Sequence, residues 1–328
     1  MALIQNTNLR TYFRAAKKIG LKTKVITPNL VEFSNSKKKF FILKARTPIN
    51  SFISVMLSRN KFFTSKILNE NGVPCTKLFF CRTIIGARKA LKEIGFPLVV
   101  KPQVGSKGKG ITANINSKGR LEKAVKKVKS VTHTDVGFVT AEYIQGDEYR
   151  FLVLDNQIIG ALKRIPPFVT GNGKNTIKKL IEQLNNEKVL RNQKIGIATF
   201  SLVIIDDNLK QALEKQNLRL NSIPQKEQKV YLLETANRAS GGFTYAIDNW
   251  KEKIHPEILK TMLDAASALA LKFAAIDVIL KDIELPLGRH NGKIIEINSS
   301  PGINMFHYPD SGEPQFIAKK IINYIIKN

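Results

Sequence analysis

Acidic residues are scarce in this sequence: its 328 residues hold 26 Asp and Glu against 53 Lys and Arg, a formal charge of +27 at neutral pH. Such a field attracts nucleic acid, anionic lipid, nucleotides or acidic peptides. The lysines are spread along the whole chain, with no aromatic-interleaved stripe and no helix-turn-helix or RNP-like motif. The charge is therefore read as a solvated lysine-rich surface, and a nucleic-acid or other polyanion partner stays as the second reading. Cysteine is nearly absent. Cys75 and Cys81 form no C-x-x-C pair, which excludes a disulfide framework and a structural zinc site and suits a reducing compartment. The four histidines, His133, His255, His290 and His307, lack metal-ligand spacing and are read as structural or surface residues. No long apolar run occurs. The longest, residues 265–280, is interrupted by Lys272 and Asp277 and is too short and polar to span a bilayer. Residues 1–20 lack the apolar core and cleavage site of a secretory leader. The expectation is a cytoplasmic protein with no membrane association. Internal repeats and low-complexity segments are also missing.

What is present is an alternation of helical and strand patterns over a length sufficient for two or three lobes. Residues 8–19 read as an amphipathic helix, followed by short strands at 24–27, 31–33 and 40–43; residues 1–57 are a small N-terminal lobe. Helical spacing resumes around Ile53 and again from Phe62 to Leu68, and Gly72 and Pro74 stop it. Strands at 77–81, 98–101, 111–115 and 137–142 with helices at 85–94 and 120–131 make an α/β lobe, residues 58–142. From Tyr149 to Ile165 the alternation breaks at Asp155-Asn156, good turn chemistry, and predicts a hairpin opening a third lobe, residues 143–328. Helices at 175–188, 208–217, 256–273 and 314–326, a strand at 229–234 and paired strands at 275–281 and 293–297 complete it.

Two clusters carry chemistry. Gly105-Ser106-Lys107-Gly108-Lys109-Gly110 offers backbone N–H groups and positive charge, the requirements of a phosphate chain. It is not a P-loop, because Ile111-Thr112 follows Gly110 where Lys-Ser/Thr is needed. Nor is it a dinucleotide fingerprint, because Ile111, Ala113 and Ile115 alternate as a strand instead of opening a helix. A strand-loop-strand of this kind is a flap over phosphates. Upstream, Lys101 ends the apolar strand Leu98-Val99-Val100, where an ammonium is costly unless an anion meets it. The second cluster is acidic. Asp277 interrupts an otherwise apolar strand, and in Ile294-Ile295-Glu296-Ile297-Asn298 the residues Glu296 and Asn298 project from one face. If the two strands pair as an antiparallel hairpin, Asp277, Glu296 and Asn298 converge as hard oxygen ligands for Mg²⁺, or Mn²⁺ in its place.

In this order, a lysine-tipped strand, a glycine flap and a strand-borne acid/Asn site resemble the ATP-grasp superfamily, from about Asn60 onward. Asn60-Lys61, Thr64, Lys66 and Gly72-Val73-Pro74 resemble its opening segment, which implies that Lys61 contacts ATP phosphates. Phe96-Pro97-Leu98-Val99-Val100-Lys101-Pro102 resembles the strand of its second phosphate-binding lysine. Glu142-Tyr143-Ile144-Gln145-Gly146-Asp147-Glu148 is similar to its hinge, which implies that Glu142, Tyr143 and Ile144 face adenine and Glu148 the ribose. Asp277, Glu296 and Asn298 fall on the magnesium triad. Within the superfamily, Tyr149-Arg150-Phe151-Leu152-Val153, Ile165-Pro166-Pro167, Gly171-Asn172-Gly173, Ala236-Asn237-Arg238-Ala239-Ser240-Gly241-Gly242, His255-Pro256 and Ser299-Ser300-Pro301-Gly302 resemble the cyanophycin synthetase and bifunctional glutathione synthetase branch. The second catalytic module of those large enzymes has no counterpart in these residues, so their polymerising or two-step activity is not carried over. Arg238 is a further departure, with consequences for substrate choice.

The resemblance implies an ATP-grasp fold of α/β (α+β) lobes clasping ATP, and a ligase that joins a carboxylate to an amine through an acyl phosphate, releasing ADP, on an amino acid or short peptide. Lys61, Lys101, Gly105, Ser106, Gly108, Lys109 and Gly110 then serve ATP. Arg238 is expected to reach the transferring phosphoryl group; Arg150 and Lys163 are candidates for phosphate or substrate carboxylate. Ser240, Gly241 and Gly242 let the backbone approach the intermediate. A homo-oligomer is compatible with the sequence. The competing readings are an ATP-grasp-fold protein that binds polyanions without catalysis, and a small-molecule kinase that releases its phosphorylated product.

Overall fold

Asn6, Ser51, Asn60, Thr83, Ser117, Thr176 and Asp206 each accept a backbone N–H of the following turn and so set seven helix starts; such caps contribute about 1 kcal/mol apiece. The computed structural model describes residues 4–105, 108–132, 136–288 and 290–328. Ser106 and His133 of the sequence reading lie outside them.

Helix α1 (Thr7–Lys18) buries Leu9, Tyr12 and Ala16, a stripe at helical spacing. Strands β1 (Lys22–Thr27), β2 (Leu30–Ser34) and β3 (Lys39–Leu43) form an antiparallel meander whose inward residues are Val31, Phe33, Phe40 and Ile42. This small sheet does not pack alone. Its residues share one core with Leu152, Leu154, Leu162 and Phe306 of the largest sheet and its neighbours.

Helices α2 (Phe52–Arg59) and α3 (Lys61–Glu70) lead into the flap lobe. There β4 (Leu78–Cys81), α4 (Ile84–Ile94), β5 (Leu98–Pro102), β6 (Thr112–Ile115), α5 (Lys118–Val131) and β7 (Phe138–Glu142) form an antiparallel sheet of order β4-β7-β5-β6. Ala87 and Ala90 of α4 and Leu121, Ala124, Val125 and Val128 of α5 join its core.

Strands β8 (Asp147–Leu154) and β9 (Gln157–Ile165) form the expected hairpin, with Asp155 and Asn156 both left-handed, φ +47° and +59°. Between β9 and β12 the chain builds a lobe with its own core: β10 (Phe168–Thr170), α6 (Ile177–Ile195), α7 (Asp207–Glu214) and β11 (Lys229–Tyr231). A 3-10 turn, Arg238–Ser240, precedes β12 (Phe243–Ala246); α8 (Trp250–Lys253), α9 (Pro256–Ala268), β13 (Phe273–Leu280), β14 (Gly292–Asn298), α10 (Asn304–His307) and α11 (Ala318–Lys327) close the chain. The large sheet is antiparallel, of order β12-β9-β8-β13-β14. Several expectations shift: the helix expected at 256–273 ends at Ala268 and leaves Phe273 to β13, and the helix expected at 314–326 begins only at Ala318. Helix α6 continues to Gly196, whose left-handed backbone ends it; the strand expected at 229–234 stops at Tyr231; and Phe243–Ala246, unassigned from sequence, pairs with β9.

One seam positions everything that follows. Ile294 at the sheet edge exchanges backbone hydrogen bonds with Pro74 and Thr76, each 3.0 Å, and so ties the entrance of the flap lobe to β14.

Candidate active site

Asp277 lies between two partners across the large sheet: Arg150 on β8 at one side and Glu296 on β14 at the other. Directly paired residues share a face, so the three side chains form a row. Asp277 is 1% exposed. Its Oδ1 accepts from Arg150 Nε and its Oδ2 from Arg150 Nη2, both at 2.6 Å, a bidentate fork. Arg164 Nη1 stands 3.4 Å and Asn298 Nδ2 3.3 Å from the same Oδ2. Burial would raise the Asp277 carboxyl, but the arginines hold it below the ordinary carboxylate value. Glu148 belongs to this cluster: Arg164 pairs with it, while burial, reinforced by Asp277 and Glu296, raises its carboxyl.

The cations arrive from the flap-lobe side. Lys61 opens α3, where the Asn60 side chain caps Phe62 and Phe63 and also accepts from Gln103 Nε2 at 3.0 Å. Its Nζ lies 3.2 Å from Glu296 Oε1. Lys101, 7% exposed, donates to the Ile295 carbonyl at 3.2 Å. Burial lowers its ammonium to about 8, against the pull of Glu296. Lys61, Lys101, Arg150, Asp277, Glu296 and Asn298, chosen from sequence, therefore converge around one end of β14.

Arg164 was missed, and Lys163 was chosen instead. A plain two-residue hairpin at Asp155-Asn156 pairs Glu148 with Lys163. The register shifts between Leu152 and Val153, so Glu148 meets Arg164 and Lys163 falls on the opposite face, opposite Tyr149. There Lys163 bonds Asp147 at 2.6 Å and sits over the Tyr149 ring, so it is not brought to the cluster. A basic pair at a strand end, with a carboxylate facing it in the hairpin, was the available signal.

Residues 142–144 follow from the end of β7, and Gly105, Gly108, Lys109 and Gly110 lie between β5 and β6. Glu142 Oε1 accepts from Lys77 N and from Lys293 Nζ, both 2.6 Å, which anchors that carboxylate to the sheet edge. Tyr143 N donates to the Pro97 carbonyl, and Ile144 is half-buried beside it. Gly105 and Lys109 are exposed. Gly108 and Gly110 have φ +72° and +74°; a Cβ on Gly108 would stand 3.1 Å from Asn237 Nδ2 and one on Gly110 2.4 Å from Val131. Gly108 thus lies against Asn237, the first residue of the turn at 237–242.

In that turn Arg238 does not extend towards the acids. It is 6% exposed, with Nε on the Thr199 carbonyl at 3.1 Å, Nη2 on the Tyr308 carbonyl at 2.7 Å and Nη1 on Thr244 Oγ1. Its fork is used inside the fold. The N–H groups of Ser240 and Gly242 donate to the Asn237 carbonyl and that of Gly241 to Arg238, so they close the turn. The glycines answer to packing: a Cβ on Gly241 would stand 2.6 Å from Val203, and one on Gly242 2.8 Å from the Asn237 oxygen.

For a metal, two carboxylates and an amide are the hard oxygen donors that Mg²⁺ takes, and Asp277, Glu296 and Asn298 fit it in chemistry and adjacency. Among the described residues no three His, Cys, Asp or Glu side chains stand together as a ligand set.

Residues 58–172 match the RimK-like ATP-grasp domain. This chain carries an ATP-grasp domain. Cyanophycin synthetase of Trichormus variabilis is 31% identical over 283 residues, 86% of this chain and 30% of that protein. The glutathione biosynthesis bifunctional protein GshAB of Clostridium perfringens is 29% identical over 300 residues, 90% of this chain and 38% of the relative. The chain thus spans about a third of the length of these curated relatives. The crystal structure of a bifunctional glutathione synthetase from Pasteurella multocida superposes with a TM-score of 0.69 over 99% of this chain and 45% of that one, at 21% identity. D-alanine–D-alanine ligase from Bacillus anthracis gives 0.50 over 85% and 69%, at 17% identity. No helix among the described residues is long and apolar enough to cross a membrane.

Proposed function

We propose that this chain is a Mg²⁺- and ATP-dependent carboxylate–amine ligase acting on an amino acid or short peptide, with release of ADP. The observation that carries the proposal is the meeting of Lys61 and Lys101 with Glu296, Asp277 and Asn298 at one end of β14, two cations and an oxygen-donor set brought from four separate segments. A triphosphate needs that combination, and in phosphoryl transfer most catalysis is charge neutralisation and positioning. Lys61 and Lys101 neutralise phosphate oxygens, the flap at 105–110 covers them, and residues 142–144 border the base. Asp277, Glu296 and Asn298 would hold Mg²⁺, which supplies Lewis-acid neutralisation of phosphate charge when bound. Arg150 keeps Asp277 ionised and in place. Arg164, with a buried Nε that has no hydrogen-bond partner among the described residues, is the added candidate for a phosphate or carboxylate oxygen.

The reaction class is supported by the names of the curated relatives, a cyanophycin synthetase and a glutathione biosynthesis bifunctional protein. The substrate carboxylate attacks the γ-phosphate to give an acyl phosphate and ADP; the amine then displaces phosphate and forms the amide. ADP release with a panel of amino acids and short peptides, read with product mass, tests this. A condensation product supports ligation. A stable phosphorylated acid with no amide supports the kinase reading instead.

A further inference from the structure

Helix α6 carries an apolar stripe through Ile177, Leu180, Ile181 and Leu184, and the next position of that stripe is Lys188. Lys188 is 2% exposed, and burial lowers its ammonium to about 8. A core lysine is costly unless its N–H groups are well met. Here they are: Nζ donates to the Gly241 carbonyl at 2.6 Å and the Ser201 carbonyl at 3.2 Å, and lies 4.9 Å from the centre of the Phe243 ring. Its neighbours on the helix, Asn185 and Asn192, bond the backbone of Val203 and of Thr199 and Phe200. The three side chains hold residues 199–203 against α6, and Lys188 alone of the three reaches past that segment to the turn at 237–242. Arg238 returns the link by donating to Thr199, and Asp310 lies between it and Arg191. On the far side of the same turn Asn237 meets the flap residue Gly108.

We propose that Lys188 is a positioning residue: by holding the Gly241 carbonyl it fixes the turn at 237–242, against which Gly108 of the glycine flap lies. The hold on the turn stands on the geometry alone, whereas its consequence for closure over nucleotide rests on the function proposed above. An ammonium suits the task because a charge-assisted bond to a carbonyl is shorter and stronger than a neutral one. An apolar residue would fill the stripe and leave the carbonyl unmet.

The test is hydrogen exchange read by mass spectrometry on the whole chain, wild type against Lys188→Met, without nucleotide and with Mg²⁺ and a non-hydrolysable ATP analogue. Without nucleotide, peptides covering 237–243 are expected to exchange about tenfold faster in Lys188→Met, with α9 and β13 unchanged. With the analogue, its Kd is expected to stay within about threefold while protection of residues 103–112 falls about fivefold or more. Turnover should show the same split, kcat reduced and the KM for ATP little changed. Turn exchange within about twofold of wild type in nucleotide-free Lys188→Met overturns the hold itself. If instead the wild type gains no flap protection from the analogue, the closure consequence fails together with the nucleotide reading, while the nucleotide-free comparison still decides the role of Lys188. Should Lys188→Met not fold, Lys188→Gln, which keeps one donor, is expected to give the same direction with a smaller effect.

Discussion

Arg150 and Asp277 are directly paired on neighbouring strands, and each carboxylate oxygen lies 2.6 Å from a nitrogen of the same guanidinium. Removing one member of a buried pair leaves the other uncompensated, at a cost of about 3–5 kcal/mol. Arg150→Met is therefore expected to unfold at markedly lower denaturant. Arg150 lowers the folded pKa of Asp277, so the pair contributes stability that is complete above the unfolded value of about 3.9 and is lost as pH falls through the lower folded value. Arg150→Met, with the pair gone and Asp277 left to burial, should lose less stability than the wild type as pH falls through this range; an equal acid loss in both would show that the fork does not set this pKa.

Lys101 should display a conflict between stability and function. Its pKa near 8 means that the unfolded chain holds this proton more tightly, so below that pH the buried ammonium costs stability, and the cost fades as pH rises from about 8 towards the unfolded value near 10.4. Lys101→Met is expected to gain on the order of 1–3 kcal/mol in thermal or denaturant unfolding at neutral pH. The same change should lower kcat/KM by at least about a hundredfold, because the phosphate loses its buried counter-charge. Turnover within twofold of wild type excludes Lys101 from phosphate binding.

Lys163 and Arg164 separate by register. Arg164→Met is expected to weaken ATP binding about tenfold or more, and Lys163→Met to leave it within about twofold, by titration calorimetry. Equal losses would mean that the shifted pairing of β8 and β9 does not decide which side chain serves the site.

His307 supplies a pH test away from the chemistry. Its Nε2 accepts from Ala318 N at 3.0 Å, and burial, aided by Lys18, lowers its pKa to about 4. The fold keeps this ring neutral while the unfolded chain protonates near 6.5, so stability is level above about 6.5 and falls as pH drops towards 4, by up to about 3 kcal/mol. His307→Gln, whose carbonyl can still accept from Ala318, should flatten that part of the profile in urea melts.

The elements that were readable from sequence are those whose cause is local. Asp155-Asn156 specifies its turn, His255-Pro256 starts α9, and two β-branched runs containing Asp277 and Glu296 pair as expected. What was not readable depends on contacts distant in sequence. The bulge that selects Arg164 leaves no mark in composition. Arg238 looked available because its neighbours are small, yet Thr199, Thr244 and Tyr308 occupy its fork. Helix α6 was cut short at Lys188 because the polar run Arg191 to Lys194 resembles a loop until the partners of Asn192 at Thr199 and Phe200 are known.

Ligation at the Lys61, Lys101 and β14 site is tested most directly by the fate of the carboxylate oxygen. Amino acids and short peptides labelled with heavy oxygen in the carboxylate, incubated with Mg²⁺, ATP and an amine panel, should pass one labelled oxygen to inorganic phosphate, with ADP and an amide formed in equal amounts and none of the three with Lys101→Met. Unlabelled phosphate accompanying amide formation, or AMP in place of ADP, contradicts an acyl phosphate made at this site.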